Sequence, residues 1–138
     1  MKLFLKEFYL FCFGAVAYGL IEIMFRGNTH WTMLIVGGLC FVLIGAVNEV
    51  IPYEIALTSQ MLISAVIITA LEFVSGTVIN DWFRLGVWNY SDMPYNVNGQ
   101  VCLVFFCAWF FLSLVGIVLD DYMRYKLFGE ERPHYKLL

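Results

Sequence analysis

The sequence predicts an all-α integral membrane protein: a bundle of four transmembrane helices with an aromatic-rich outer loop between the third and the fourth. Of the 138 residues, 62% are hydrophobic and only 14% are charged, whereas soluble domains average about 45–50% and 25%. Four apolar runs are long enough to cross a hydrocarbon core, which takes roughly 20 residues. Most basic residues lie at the two chain ends. These observations predict a single transmembrane domain over residues 1–138.

The apolar runs fix where the helices are expected. Only helices or closed barrels satisfy their backbone groups in lipid, and these runs lack the strict alternation of barrel strands. Pro52 follows the second run, where it favours the end of a helix. The predicted spans are about 8–25, 31–51, 55–79 and 101–119, with an outer interfacial loop at 80–98 and a cytoplasmic tail at 120–138.

The distribution of positive charge predicts the orientation. Two of the eight basic residues, Arg26 and Arg84, fall in the first and third connections, and the others lie near the chain ends. An even number of spans brings both ends to one side, and loops rich in Lys and Arg stay cytoplasmic. We therefore expect a multi-pass protein of the cell (plasma) membrane with cytoplasmic N- and C-termini.

Carboxyl side chains inside the spans are the strongest indication of function. A charged carboxylate at a helix centre costs roughly 2.5–3.5 kcal/mol, so it needs a partner, a proton, a cation or water. Glu22 and Glu72 both fall in the predicted outer half, where Asn80 and Gln100 could join them. These four residues are the predicted substrate- or ion-binding site. Two interpretations remain open: a closed ion-pair network completed by Arg84, or a hydrated site for a cation or protons.

The outer loop combines aromatic rings with short polar side chains. Amphipathic rings prefer the headgroup region, so an aromatic belt explains the loop. Long ordered loops also carry function, so a lid over the polar site is the alternative. The residues predicted to form such a lid or gate are Trp82, Arg84, Trp88, Asn89, Tyr90 and Tyr95.

The sequence lacks the motifs of several functional classes. The chain has no Gly-rich phosphate loop with a Lys and a Ser or Thr, and its net charge of −3 gives no basic patch for nucleic acid. No metal-ligand motif or activated nucleophile accompanies the carboxyl groups. We therefore predict no enzyme activity, no catalytic residues, no metal, no cofactor and no nucleic-acid partner.

A longer pattern connects the third span, the loop and the start of the fourth span. It consists of residues 71–76 (LEFVSG), Asn80, residues 88–91 (WNYS), Pro94, Asn96, Gly99 and Gln100. Together with residues 19–22 (GLIE) in the first span, it resembles the signature of a bacterial membrane family described as "Putative ABC-transporter type IV". Asn89 departs from that signature, which has an Asp there. The resemblance implies a permease that works with a separate ATPase.

The leading functional hypothesis is a small membrane transport protein or channel-like subunit with an intramembrane carboxylate site for a cation or protons. Four short helices enclose little volume, so a homo-oligomer in the lipid bilayer is expected. The alternative is an accessory or scaffold protein that transports nothing and binds another membrane protein or lipid. A hydrated groove that reaches Glu72 would favour transport, and a sealed ion-paired interior would favour the accessory role.

Overall fold

The predicted all-α architecture is confirmed. A computed structural model describes residues 1–52 and 54–138 of the chain, and its four long helices are each apolar enough to cross a membrane. The helices are α1 (Lys2–Arg26), α2 (Trp31–Val50), α3 (Leu57–Gly76), which continues as the π-helical segment Thr77–Trp82, and α4 (Leu103–Phe128). We call the side that carries the chain ends the terminal end and the side that carries residues 83–102 the loop end.

Two helices are longer than the apolar runs that predicted them. Helix α1 begins at Lys2 rather than near residue 8, and α4 continues to Phe128 rather than ending near 119. The segment 120–128, expected in the tail, is therefore helical. Charged residues do not end these helices, because their side chains find partners at the terminal end. Gly129 ends α4 with a left-handed φ of 70° while its N–H bonds to the Arg124 carbonyl.

Local signals explain the remaining helix ends. Gly27 closes α1 with a left-handed φ of 77° and donates its N–H to the Ile23 carbonyl. His30 precedes α2, and its ring accepts the Thr32 N–H as an N-cap. Ile51 is extended at φ −103° and ψ 127°, as expected for a residue before proline. At the loop end, the Phe83 N–H bonds to the Val78 carbonyl at 3.0 Å, which is the i→i+5 pattern of a π-helix.

Helix α2 is the centre of the bundle, because it packs against each of the other three helices. Glycines allow its close approach to α1. A Cβ at Gly37 would lie 2.5 Å from the Tyr18 Cβ, and one at Gly38 would lie 2.8 Å from the Phe11 carbonyl oxygen. Small residues let transmembrane helices approach this closely. Helix α1 is therefore held to the bundle mainly through α2.

A core cluster lies at each end of the bundle. At the loop end, Met33, Val36, Ile79 and Trp88 pack together. The second cluster, nearer the terminal end, contains Ile44, Leu57, Met61, Ile68 and Ile117. The tail folds back beside it: Tyr135 packs on this cluster, and the Leu57 N–H donates to the Lys136 carbonyl at 2.6 Å. The tail thus covers the beginning of α3.

Gly45 should tolerate no larger residue, because a Cβ there would overlap the Asp120 carboxyl. We expect Gly45→Ala to destabilise the protein by about 1–3 kcal/mol, the usual cost of overpacking. Gly116→Ala at the same α2–α4 contact is the control, since its Cβ would meet Ile44 at an ordinary 3.4 Å. Thermal unfolding in detergent measures both. Equal midpoints for the two variants would contradict the close α2–α4 approach.

Candidate functional site

Glu72 lies inside the loop end of the bundle with only 5% of its surface exposed. Its Oε1 accepts a hydrogen bond from the Tyr90 hydroxyl at 3.0 Å, and its Oε2 accepts one from the Trp109 Nε1 at 3.0 Å. Both donors are neutral. No Lys, Arg or His among residues 1–52 and 54–138 forms an ion pair with this carboxyl. Glu72 is therefore buried and hydrogen-bonded, while its charge has no protein counterion.

The two donors belong to a short aromatic stack. The Tyr90 ring stacks on Phe105 with centroids 4.7 Å apart, and Phe105 lies 6.2 Å from Trp109. Burial and the adjacent Glu72 raise the pKa of the Tyr90 phenol above its ordinary value. Tyr90 therefore keeps its proton around neutral pH and acts as a donor to Glu72.

Glu22 is equally buried, but its charge is paired. Its Oε1 accepts from the Arg26 guanidinium at 2.8 Å, and its Oε2 accepts from the Thr29 hydroxyl at 3.2 Å. Arg26 also donates to the Val87 carbonyl at 3.1 Å, which ties the loop to the end of α1. The i,i+4 spacing of Glu22 and Arg26 places both on one helix face. This carboxyl therefore has the counterion that Glu72 lacks.

Asn80 and Gln100 hold the loop to the end of α3. Asn80 donates to the Gln100 Oε1 at 3.0 Å and accepts the Val87 N–H at 2.7 Å. The Gln100 side chain in turn donates to Asp81 at 3.0 Å. The backbone carbonyl of Gln100 accepts the Trp88 indole N–H at 3.0 Å. These bonds occupy both amide side chains. They position the loop. Neither amide bonds to Glu72, which accepts from Tyr90 and Trp109 instead.

Two adjoining cavities border the carboxyl groups. A cavity of about 100 Å³ is lined by Glu72 with Tyr18, Cys40 and Trp109. A larger groove of about 850 Å³ lies between α1 and α4 under the loop, and Glu22 lines it. Tyr18 and Trp109 line both cavities. Glu72 therefore lies behind the aromatic wall of the groove, one side chain from its interior.

The residues expected to form a lid separate into two groups. Trp88, Asn89 and Tyr90 line the groove. The other three, Trp82, Arg84 and Tyr95, are exposed. The expected pairing of Arg84 with the buried acids is absent from the described chain, because Arg84 lies on the loop surface in a left-handed conformation with φ 55°. Arg26 takes that place beside Glu22.

Sequence reasoning missed a second polar cluster, at the terminal end. Arg124 is only 3% exposed and binds three acids through its guanidinium. It bonds to Asp120 at 2.6 Å, to both oxygens of Glu7 at 3.1 and 3.2 Å, and lies 3.6 Å from Glu49. The cluster therefore joins α1, α2 and α4. We call it the Arg124 cluster.

Further bonds extend the Arg124 cluster into the tail. Lys6 pairs with Glu130 just after α4. The Asp121 Oδ2 accepts from Asn48 at 2.6 Å and from the Tyr135 hydroxyl at 2.6 Å. The i,i+4 spacing of Asp120 and Arg124 after an apolar run was the sequence signal for this cluster. These two residues were instead predicted to lie in the cytoplasmic tail at 120–138.

The residues that carry the family resemblance contribute to this site: Glu72, the loop anchors Asn80 and Gln100, and the donor Tyr90. The model of the family described as "Putative ABC-transporter type IV" matches residues 2–130. The chain belongs to this family. Its multi-pass membrane character follows from the four apolar helices together with the match. Neither the curated proteins nor the solved structures include a match.

Removal of Arg124 should be strongly destabilising, because Asp120 has no exposed surface. Loss of one partner from a buried ion pair costs about 3–5 kcal/mol. We expect Arg124→Gln to lower the thermal unfolding midpoint far more than Arg132→Gln, which removes an exposed charge. The double variant Arg124→Gln, Asp120→Asn should recover part of the loss. Additive effects of the two substitutions would show that the pair is not coupled.

Proposed function

We propose that this member of the family is a small membrane transport subunit that binds a cation or protons at Glu72. The observation that carries the proposal is the contrast between the buried acids. Glu22 and Asp120 have arginine partners. Among the described residues, Glu72 and Asp121 are the two buried acids without an ion pair, and both accept hydrogen bonds from neutral donors. Asp121 lies at the terminal end beside the Arg124 cluster, whereas Glu72 borders a cavity next to the groove. A buried carboxyl without a counterion needs a proton or an external cation to offset its charge. Reversible exchange of that charge is the basis of a transport site.

The shape of the bundle supports a site with access from one side. At the terminal end, the Arg124 cluster and the Lys6–Glu130 pair close the space between α1 and α4. At the loop end, the groove between these helices reaches the aromatic wall that covers Glu72. One closed end and one open end fit a single state of an alternating-access cycle.

The orientation and the assembly are part of the same proposal. Positive charge at the chain ends favours cytoplasmic termini, so the groove would open toward the outer side of the cell membrane. A second copy of the chain would supply the remaining wall of a pathway, because four short helices enclose little volume. The family description suggests a separate ATPase as a partner.

Glu72→Gln should abolish flux through the purified protein. The amide keeps the size of the side chain and one hydrogen-bond acceptor but cannot exchange charge. We expect flux of protons, of a monovalent cation or of an organic cation in proteoliposomes made with the wild-type protein. The same assay on Glu72→Gln should give the background of empty vesicles.

Glu131→Gln is the matched control, because it changes an exposed carboxyl at the other end of the molecule. Its flux should equal that of the wild type. Flux that persists in a folded Glu72→Gln variant would overturn the proposed site. If no solute crosses with the wild-type protein, the accessory role is favoured, and the closed Arg124 cluster is the feature that supports that role.

A further inference from the structure

We propose that the groove between α1 and α4 binds a lipophilic organic cation, such as a hydrophobic amine or a quaternary ammonium or phosphonium ion. The inference rests on the proposed role of Glu72 and specifies the substrate class. The groove holds about 850 Å³, within the roughly 300–1,000 Å³ of small-molecule sites. The adjoining cavity of about 100 Å³ is too small for such a ligand.

The net charge of the site favours a cation. The Asp, Glu, Lys, Arg and His side chains that border the two cavities are Glu22, Arg26 and Glu72. The Glu22–Arg26 pair at 2.8 Å is neutral as a unit. Glu72 in its ionised form therefore leaves one net negative charge at the aromatic wall. In a site surrounded by apolar groups, that charge attracts a cation and repels an anion.

The aromatic wall of the groove also favours an organic cation. Aromatic rings line the groove from α1, from the loop and from α4, and they include Tyr18, Trp88, Tyr90, Phe105 and Trp109. Ring faces attract organic cations, and aromatic cages recognise quaternary ammonium groups in this way. Tyr90 and Trp109 point their polar hydrogens at Glu72. A cation on these rings would lie close to the carboxylate behind them.

The scarcity of oxygen ligands disfavours a small inorganic cation in the groove. A hard cation such as Ca²⁺ takes six to eight oxygen ligands, and Mg²⁺ takes six. No group of three or more His, Cys, Asp or Glu residues in the described chain could hold a metal ion. Glu72 already shares its two oxygens with Tyr90 and Trp109. A diffuse organic charge needs no such ligand set.

The rim of the groove suits entry of a lipophilic ligand from the membrane. Phe25 and Phe111 line the groove, and they are 85% and 68% exposed. Both lie on helices that face lipid in a membrane, so the rim of the groove is apolar. A lipophilic cation concentrates at the membrane interface and would enter between α1 and α4 from there.

The test is binding of radiolabelled tetraphenylphosphonium to the full-length protein in detergent, with empty micelles as background. Tetraphenylborate has nearly the same size and shape and the opposite charge. We expect saturable binding of the phosphonium and none of the borate, which separates recognition of charge from simple lipophilicity. Equal binding of the two ions, or no binding of the phosphonium, would overturn the inference without any variant.

Variants locate the site. Glu72→Gln should weaken phosphonium binding by about tenfold or more, the effect of one desolvated charge or cation–π contact. Phe105→Leu should weaken it several-fold, while Phe83→Leu, outside the groove, should leave it unchanged. Phosphonium binding that is independent of both Glu72 and Phe105 would overturn the site.

The two proposals fail in different ways. Glu72-dependent flux of protons or Na⁺ without phosphonium binding would keep the transport role and overturn the organic-cation class. Glu72-dependent phosphonium binding without flux of any solute would support this inference and overturn transport by the isolated chain.

Discussion

The hydrogen bonds from Tyr90 and Trp109 to Glu72 connect three parts of the chain at one point: α3, the loop and α4. Lipid offers no hydrogen bonds, so every polar group inside the bundle needs a partner from the protein or from a ligand. Hydrogen bonds to a charged group contribute about 1.5–3 kcal/mol each. Tyr90 and Trp109 belong to the aromatic wall of the groove, so the arrangement of that wall depends on how this carboxyl is satisfied.

The two ends of the bundle meet the same constraint by different chemistry. At the terminal end, Arg124 pairs with Asp120, Glu7 and Glu49, so each of these acids has a cationic partner although the acids outnumber the base. At the loop end, neutral donors stabilise Glu72 without offsetting its charge. The first arrangement joins α1, α2 and α4 through ion pairs. In the second arrangement, a buried carboxyl without an ion-pair partner borders a cavity, and a proton or a cation can offset its charge. We therefore assign function to the loop end.

Much of the architecture could be predicted from the sequence, because apolar length is a strong signal in membrane proteins. The number and order of the helices followed from it. The end of α4 did not follow from it, because Asp120 and Arg124 form an ion pair within the helix and the helix continues past the apolar run. Charge counted along the chain does not distinguish a solvated residue from a paired one.

Part of the candidate site was also predictable from the sequence. Glu22 and Glu72 stood out because acids are costly in lipid, and they do border adjoining cavities. Their partners depended on tertiary contacts: Arg26 rather than Arg84 for Glu22, and Trp109 from a distant helix for Glu72. Asn80 and Gln100 proved to anchor the loop, a role that polarity alone does not distinguish from ligand binding.

The most direct measurement is chemical labelling of the folded protein with a hydrophobic carbodiimide, followed by mapping of the adducts by mass spectrometry. The reagent adds to a protonated carboxyl in an apolar setting and rearranges to a stable N-acylurea. Glu22 and Asp120 keep their arginines, while Glu72 and Asp121 have no ion pair in the described chain and can take that proton. Of these two, Glu72 borders a cavity next to the groove, which gives the reagent access. We expect the dominant adduct inside the bundle on Glu72, with tetraphenylphosphonium protecting it. Equal labelling of Glu22 and Asp120, or no adduct on Glu72, would contradict the claim that Glu72 is the exchangeable charge of this protein.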